Sequence, residues 1–176
     1  MKLQNRIREL LAEFCLRPER PTPYSVLEPV AREVDALIEL VRYDPTRYMR
    51  HPIYLSDDWE IMLIAWDSGQ RTPIHDHRGV LGSMAVFSGT LVEERFETPR
   101  GTPDLLERAD RPTGDLCEIG PTILHRLAPR HGRALSLHIY RPPLRTMGIW
   151  EEHGMAGIRA SEYDLAPDYF ATVATA

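Results

Sequence analysis

Apolar positions recur with helical spacing through the first forty residues. Leu3, Ile7, Leu10, Leu11 and Phe14 fall on one face of a helix. Pro18, Pro21 and Pro23 end it. Ser25 and Glu28 predict a capping box, which places Pro29 in a first turn, where a proline is tolerated. Val30, Val34, Leu37, Ile38 and Val41 continue the helical period, and Asp44-Pro45 offers a cap for one further short turn. From Tyr54 the period changes. Ile61 to Trp66 is a short apolar run, which suits a strand buried on both faces. Gly82–Phe87 and Leu91–Phe96 flank Ser88-Gly89 and predict a hairpin. Residues 98–113 are polar, with proline and glycine, and predict a loop. Leu116–Ile119, Ile123–Leu127 and Ala134–Arg141 predict further strands. Many short strands divided by turn signals point to an all-β-dominated barrel or sandwich. Two or three N-terminal helices would pack on its outside. The expected organisation is one domain of 176 residues, with a helical segment over 1–49 and a barrel over 50–176.

Composition narrows the classes. At 43% apolar and 27% charged residues, the chain has the makeup of a globular protein with a real core. A net charge of −5 leaves no basic excess to neutralise phosphates, so nucleic acid is not an expected partner. No apolar run approaches the ~20 residues that span a bilayer, so no membrane partner is expected either. The opening stretch MKLQNRIRELLAEF is amphipathic and lacks a signal-peptide core. Cys15 and Cys117 stand far apart and make no disulfide framework. The expectation is a cytoplasmic protein with free thiols, and a monomer by default.

Seven histidines are present, and three have informative placing. His75 and His77 lie two apart; on a strand such positions share a face, about 6.6 Å apart along it. His125 follows about fifty residues later, in a predicted strand. Together they form a candidate facial set of imidazoles, which suits iron, zinc, copper or nickel. Three protein ligands leave coordination positions open, as catalysis requires. A plainer reading places His75 and His77 on a surface loop and His125 in the core. In Ala134–Arg141, Ser136, His138 and Tyr140 alternate with Leu135, Leu137 and Ile139. One face is therefore hydrogen-bonding and the other aliphatic. Ser136 can orient His138, and His138 the Tyr140 hydroxyl, which can exchange a proton or hydrogen bond with a ligand. An ordinary half-exposed strand would carry a similar pattern.

These residues resemble the cysteine dioxygenase family of the cupin superfamily. The resemblance covers Tyr48 to Glu152. One cupin motif runs from Gly69 through His75-x-His77 to Gly89, and a second centres on His125, although Gly120, Thr122 and Pro129 depart from its usual residues. Ser136-x-His138-x-Tyr140 followed by Pro142-Pro143-Leu144, and Tyr48-x-Arg50 upstream, match further family elements. Gly82 stands where most cupins carry a glutamate ligand and where animal members carry a cysteine cross-linked to the tyrosine.

The resemblance implies a cupin (double-stranded β-helix, jelly-roll) barrel. It implies Fe(II) on His75, His77 and His125, without the cross-link. It implies Arg50 and Tyr48 on a substrate carboxylate, Tyr140 served by His138 and Ser136, and a small thiol and O2 as reactants. L-Cysteine oxidised to its sulfinate is the expected reaction. The alternatives are 3-mercaptopropionate or another thiol, a zinc or manganese cupin isomerase, and a non-catalytic cupin sensor.

Overall fold

The computed structural model describes residues 2–164. Two helices come first: α1 (Lys2–Cys15) and α2 (Pro23–Val34), with a 3-10 helix at Asp35–Leu40. Eleven strands follow: β1 (Met49–Leu55), β2 (Glu60–Trp66), β3 (Ile74–Asp76), β4 (Leu81–Ser88), β5 (Thr90–Glu97), β6 (Asp104–Pro112), β7 (Leu116–Ile119), β8 (Leu124–Pro129), β9 (Ala134–Arg141), β10 (Thr146–Glu151) and β11 (Gly154–Ala160). They form two antiparallel sheets, in the orders β1-β2-β9-β4-β7 and β11-β10-β3-β8-β5-β6. The strands thus bear out a β-dominated barrel with helices outside. Residues 165–176 of the expected barrel lie outside the described residues. No helix among the described residues is long and apolar enough to cross a membrane.

Strand alternation divides the core into two layers. Ile61, Leu63 and Ala65 of β2, Ala85 of β4 and Leu135, Leu137 and Ile139 of β9 face the helices. There they meet Ile7, Leu11 and Phe14 of α1 and Val26, Leu27, Val30 and Val34 of α2. The other parity of the same strands supplies Met62, Ile64, Trp66, Met84, Val86 and Tyr140 to the barrel interior. Both faces of β2 and β9 are therefore buried, and the polar face of β9 points into the barrel instead of into solvent.

Three local expectations are corrected. The capping box is Thr22 with Ser25, not Ser25 with Glu28. Ser25 N donates to Thr22 Oγ1 at 3.2 Å, and Thr22 N donates to Ser25 Oγ at 3.0 Å. The helix consequently starts at Pro23, and Pro29 lies inside it, held there by the buried face on either side. Residues 98–113 are not all loop. β6 forms there as an edge strand paired only to β5, and its exposure explains why no apolar alternation marked it. Ser88-Gly89 does not close a hairpin either. β4 pairs with β9 and β7, whereas β5 pairs with β8 and β6. The chain changes sheets at Gly89, so two strands adjacent in sequence face each other across the core.

Gly89 makes that crossing with φ +73°, and a Cβ there would collide with the Arg133 carbonyl oxygen. Gly89→Ala should destabilise the fold by about 1–3 kcal/mol, since strained backbone and a close approach are combined. Urea denaturation checks it; an unchanged midpoint would refute this account of the crossing.

Candidate metal centre

β3 is three residues long, yet its pairing places two of the histidines. It lies between β8 and β10, with His75 directly opposite His125 in the β3–β8 register. His77 lies just past the strand end. There Arg78 (φ 52°) and Gly79 (φ 86°) turn the chain, and Val80 N donates to His77 O at 3.0 Å. The ring centroids are separated by 5.1 Å (His75–His77), 4.7 Å (His75–His125) and 5.0 Å (His77–His125). One nitrogen from each ring lies within 4.8 Å of the other two.

Hydrogen bonds on the far sides of two rings fix which nitrogens face inward. His75 Nδ1 donates to Pro73 O at 3.1 Å, and His125 Nδ1 donates to Glu93 Oε1 at 3.0 Å, the tautomers being assigned from these partners. Their Nε2 atoms are left with lone pairs. His125 Nε2 and both nitrogens of His77 are buried with no hydrogen-bond partner among the described residues. Burial, with the neighbouring His125, holds the His75 imidazole down to about 3. Burial and the same crowding hold His77 far below its ordinary value. Imidazoles with converging, otherwise unsatisfied nitrogens fit a borderline transition-metal cation.

Glu93 was not anticipated from the sequence; the one local sign is an acid directly after Leu91 and Val92 in a strand. It is 1% exposed and accepts from Arg111 Nη2 at 2.7 Å and Arg95 Nη2 at 3.1 Å as well as from His125. Burial pushes its carboxyl up, but bonds from His125 and the two arginines outweigh this and hold it at about 2. An ionised carboxylate behind a ligating imidazole orients the ring and raises its basicity.

A second network lies beside the triad. Trp66 Nε1 donates to Ser136 Oγ at 3.0 Å; Ser136 Oγ lies 2.9 Å from His138 Nε2; His138 Nδ1 lies 3.3 Å from the Tyr140 hydroxyl. The Trp66 N–H takes one lone pair of the Ser136 oxygen, and the serine proton is assigned to His138 Nε2, the other hydrogen-bond partner of that hydroxyl among the described residues. His138, kept neutral by burial that lowers it to about 3, then carries its proton on Nδ1 and gives it to the Tyr140 oxygen. Tyr140 is left with its own proton to donate elsewhere, and burial raises its pKa so that the proton stays on. Gly82 makes room: a Cβ there would lie 2.9 Å from two carbons of the Tyr140 ring. Tyr140 packs 5.5 Å from His77, centroid to centroid.

Arg50 and Tyr48 complete the surroundings. Both line, with His75, His125, His138 and Tyr140, one small cavity of about 30 Å³. Tyr48 packs 5.0 Å from Trp66, centroid to centroid, with the ring planes tilted by 31°. Arg50 is 8% exposed, and the buried Glu60 carboxylate lies 3.8 Å from its Nη2. A groove of about 340 Å³ on the outer surface is larger, but there Glu94 sits between Arg108 and Arg126 in a cross-strand charge ladder open to solvent. The structure thus brings His75, His77, His125, Ser136, His138, Tyr140, Tyr48 and Arg50 to one end of one barrel interior.

Two sheets closed face to face around this polar centre make the protein a cupin, a double-stranded β-helix. A cupin superfamily protein of Desulfitobacterium hafniense has the same fold, with a TM-score of 0.51 at 18% identity over 73% of this chain and 95% of that one. Residues 25–153 match the family described as cysteine dioxygenase type I, and the chain belongs to that family. It is similar to human cysteine dioxygenase type 1, 26% identical over 138 residues, 68% of this chain and 69% of the human protein. It is also similar to the rat protein of that name, 25% identical over 118 residues. That match spans 63% of this chain and 59% of the rat protein's length.

Glu93→Ala should weaken metal affinity about 10–100-fold. Glu93→Gln, which keeps an acceptor for His125, should lose less. Competition with a chelator measures both, and equal affinity in all three proteins would exclude the role. Acid should also destabilise the metal-free chain. His75 and His138 sit at about 3 when folded against an ordinary 6.5, so the unfolded chain takes up protons first. Stability is then complete above about 6.5 and drains away as pH falls from there toward 3. Urea midpoints recorded across that window should decline; a flat series rules the assignment out.

Proposed function

We propose that this protein is an iron-dependent thiol dioxygenase whose substrate is L-cysteine, converting R–SH and O2 to R–SO2H. The observation that carries the reading is the meeting of three imidazoles, with no carboxylate among their converging atoms, two of them lining the cavity that Arg50 and Tyr140 also line. Family membership supports the reaction class.

His75, His77 and His125 would hold Fe(II). A ferrous ion bound there supplies the redox chemistry with O2 and keeps a coordinated thiol deprotonated. Three neutral imidazoles bring no charge to a divalent cation, so a site of this kind favours a ligand that brings its own negative charge. Gly82, where a carboxylate ligand would otherwise stand, leaves that role to the substrate. Arg50 binds the substrate carboxylate, for which a planar guanidinium is suited in shape and charge. Tyr48 closes the same end. Tyr140 donates its remaining hydrogen bond to the sulfur or to the oxygen entering it. Leu144 and Met147 line the cavity and exclude water from the reacting atoms.

Iron-loaded protein should consume O2 with L-cysteine and give a product heavier by two oxygen atoms. A panel of L-cysteine, cysteamine and 3-mercaptopropionate in an oxygen electrode ranks the substrates. A preference for cysteamine would remove the carboxylate from recognition. Arg50→Ala should raise KM for cysteine by the equivalent of ~2–5 kcal/mol, because a buried charge partner is lost; an unchanged KM contradicts the role. Tyr140→Phe should retain metal and substrate but turn over slowly, and a wild-type kcat would dismiss the relay.

A further inference from the structure

The chain after β11 returns to the barrel and takes hold of Arg50. Asp164 and Arg50 clasp each other's backbone: Arg50 N donates to Asp164 Oδ2 at 2.7 Å, and Asp164 N donates to Arg50 O at 3.1 Å. Arg47 Nη2 pairs with the other Asp164 oxygen at 3.0 Å. The Tyr163 hydroxyl donates to Glu60 Oε1 at 2.8 Å, while Leu144 N donates to Glu60 Oε2 at 2.7 Å. Tyr163 itself packs on the interior cluster that contains Tyr140 and Leu144. Its ring centre lies 5.7 Å from the Arg50 guanidinium carbon. This strap lies beyond residues 25–153, the stretch that matches the family.

The guanidinium is gripped at its end. Nη1 donates to Glu162 O at 2.9 Å and Nη2 donates to Ser161 Oγ at 2.7 Å. The second N–H of Nη2 faces Met62 Sδ at 3.5 Å, with Glu60 Oε1 behind it at 3.8 Å. The N–H on Nε and the second on Nη1 are the donors left for a ligand. An arginine side chain on its own has considerable rotamer freedom, and holding it costs entropy on binding. Here that cost is met during folding.

We propose that the Ser161–Asp164 strap is a specificity-determining element, which locks the Arg50 guanidinium in place for a thiol substrate that carries a carboxylate. Ser161 and Tyr163 are its positioning residues. Ser161 acts on Arg50 directly, and Tyr163 acts through Glu60. The proposal rests on the thiol dioxygenase reading. It adds that recognition of the carboxylate depends on a segment outside the matched family stretch.

The test uses the full iron-loaded chain and its Ser161→Ala and Tyr163→Phe variants, with O2 uptake on L-cysteine and on cysteamine, which lacks the carboxylate. Both variants should raise KM for cysteine more than they change kcat. The preference for cysteine over cysteamine should fall roughly tenfold, as for one lost hydrogen bond to a charged group. A readout independent of turnover accompanies it. Nitrogen-15 spectra of the wild type should show separate, slowly exchanging Nη–H signals from Arg50, and these should collapse in Ser161→Ala. An unchanged preference in both variants of an active enzyme overturns the proposal and leaves the dioxygenase reading intact. A preference that rises overturns it as well, since the strap would then be competing with the carboxylate. No O2 uptake by the wild type on any thiol sinks both.

Discussion

A buried imidazole nitrogen that meets no donor or acceptor is a cost of about 1–3 kcal/mol to the fold. Among the described residues the barrel interior carries three such atoms, on His77 and His125, and His75 turns its own Nε2 toward them. The remaining polar groups of the interior leave one nitrogen of each ring facing the other two. Pro73 O and Glu93 take the outward N–H of His75 and His125, and burial keeps His75 and His77 neutral. A metal cation placed there would take a lone pair from each of the three rings at once, and the arrangement is consistent with such a site.

The scaffold delivers that arrangement by strand parity. In β2 and β9 odd-numbered residues meet the helices, and even-numbered residues meet the barrel interior. Ser136, His138 and Tyr140 therefore share a face with Trp66, and Leu135, Leu137 and Ile139 anchor that same strand from behind. The triad comes from the opposite sheet. The polar constellation thus spans the core: the three imidazoles on one wall, the Tyr140 chain on the other, and Gly82 as the gap into which the Tyr140 ring fits. The crossing at Gly89 is what puts the two walls face to face.

Each functional group is also backed by a partner that limits its protonation or direction. Glu93, itself fixed by Arg95 and Arg111, stands behind His125. Trp66 stands behind Ser136 and holds its oxygen in place. Glu60 and the strap stand behind Arg50. Buried polar groups arranged in this way lose much if one member is removed, because its neighbour is then stranded without solvent to replace it.

The sequence by itself determined the elements with a strong apolar period and the residues with a distinctive order. The two helices, the strands through Trp66 and Arg141, and the histidines at 75, 77 and 125 were legible because each declares itself within a few residues. Ser136, His138 and Tyr140 were legible as one face for the same reason. What sequence did not show is who stands opposite whom. Glu93, Glu60 and Ser161 carry no local pattern. β6 is polar on an exposed edge and resembles a loop, and Ser88-Gly89 has the composition of a hairpin yet joins two different sheets. Only the tertiary structure decided these points. A strand's partner, and the partner of a buried charge, are chosen by contacts between residues far apart in the chain, where the energy of burial and pairing overrides any local preference.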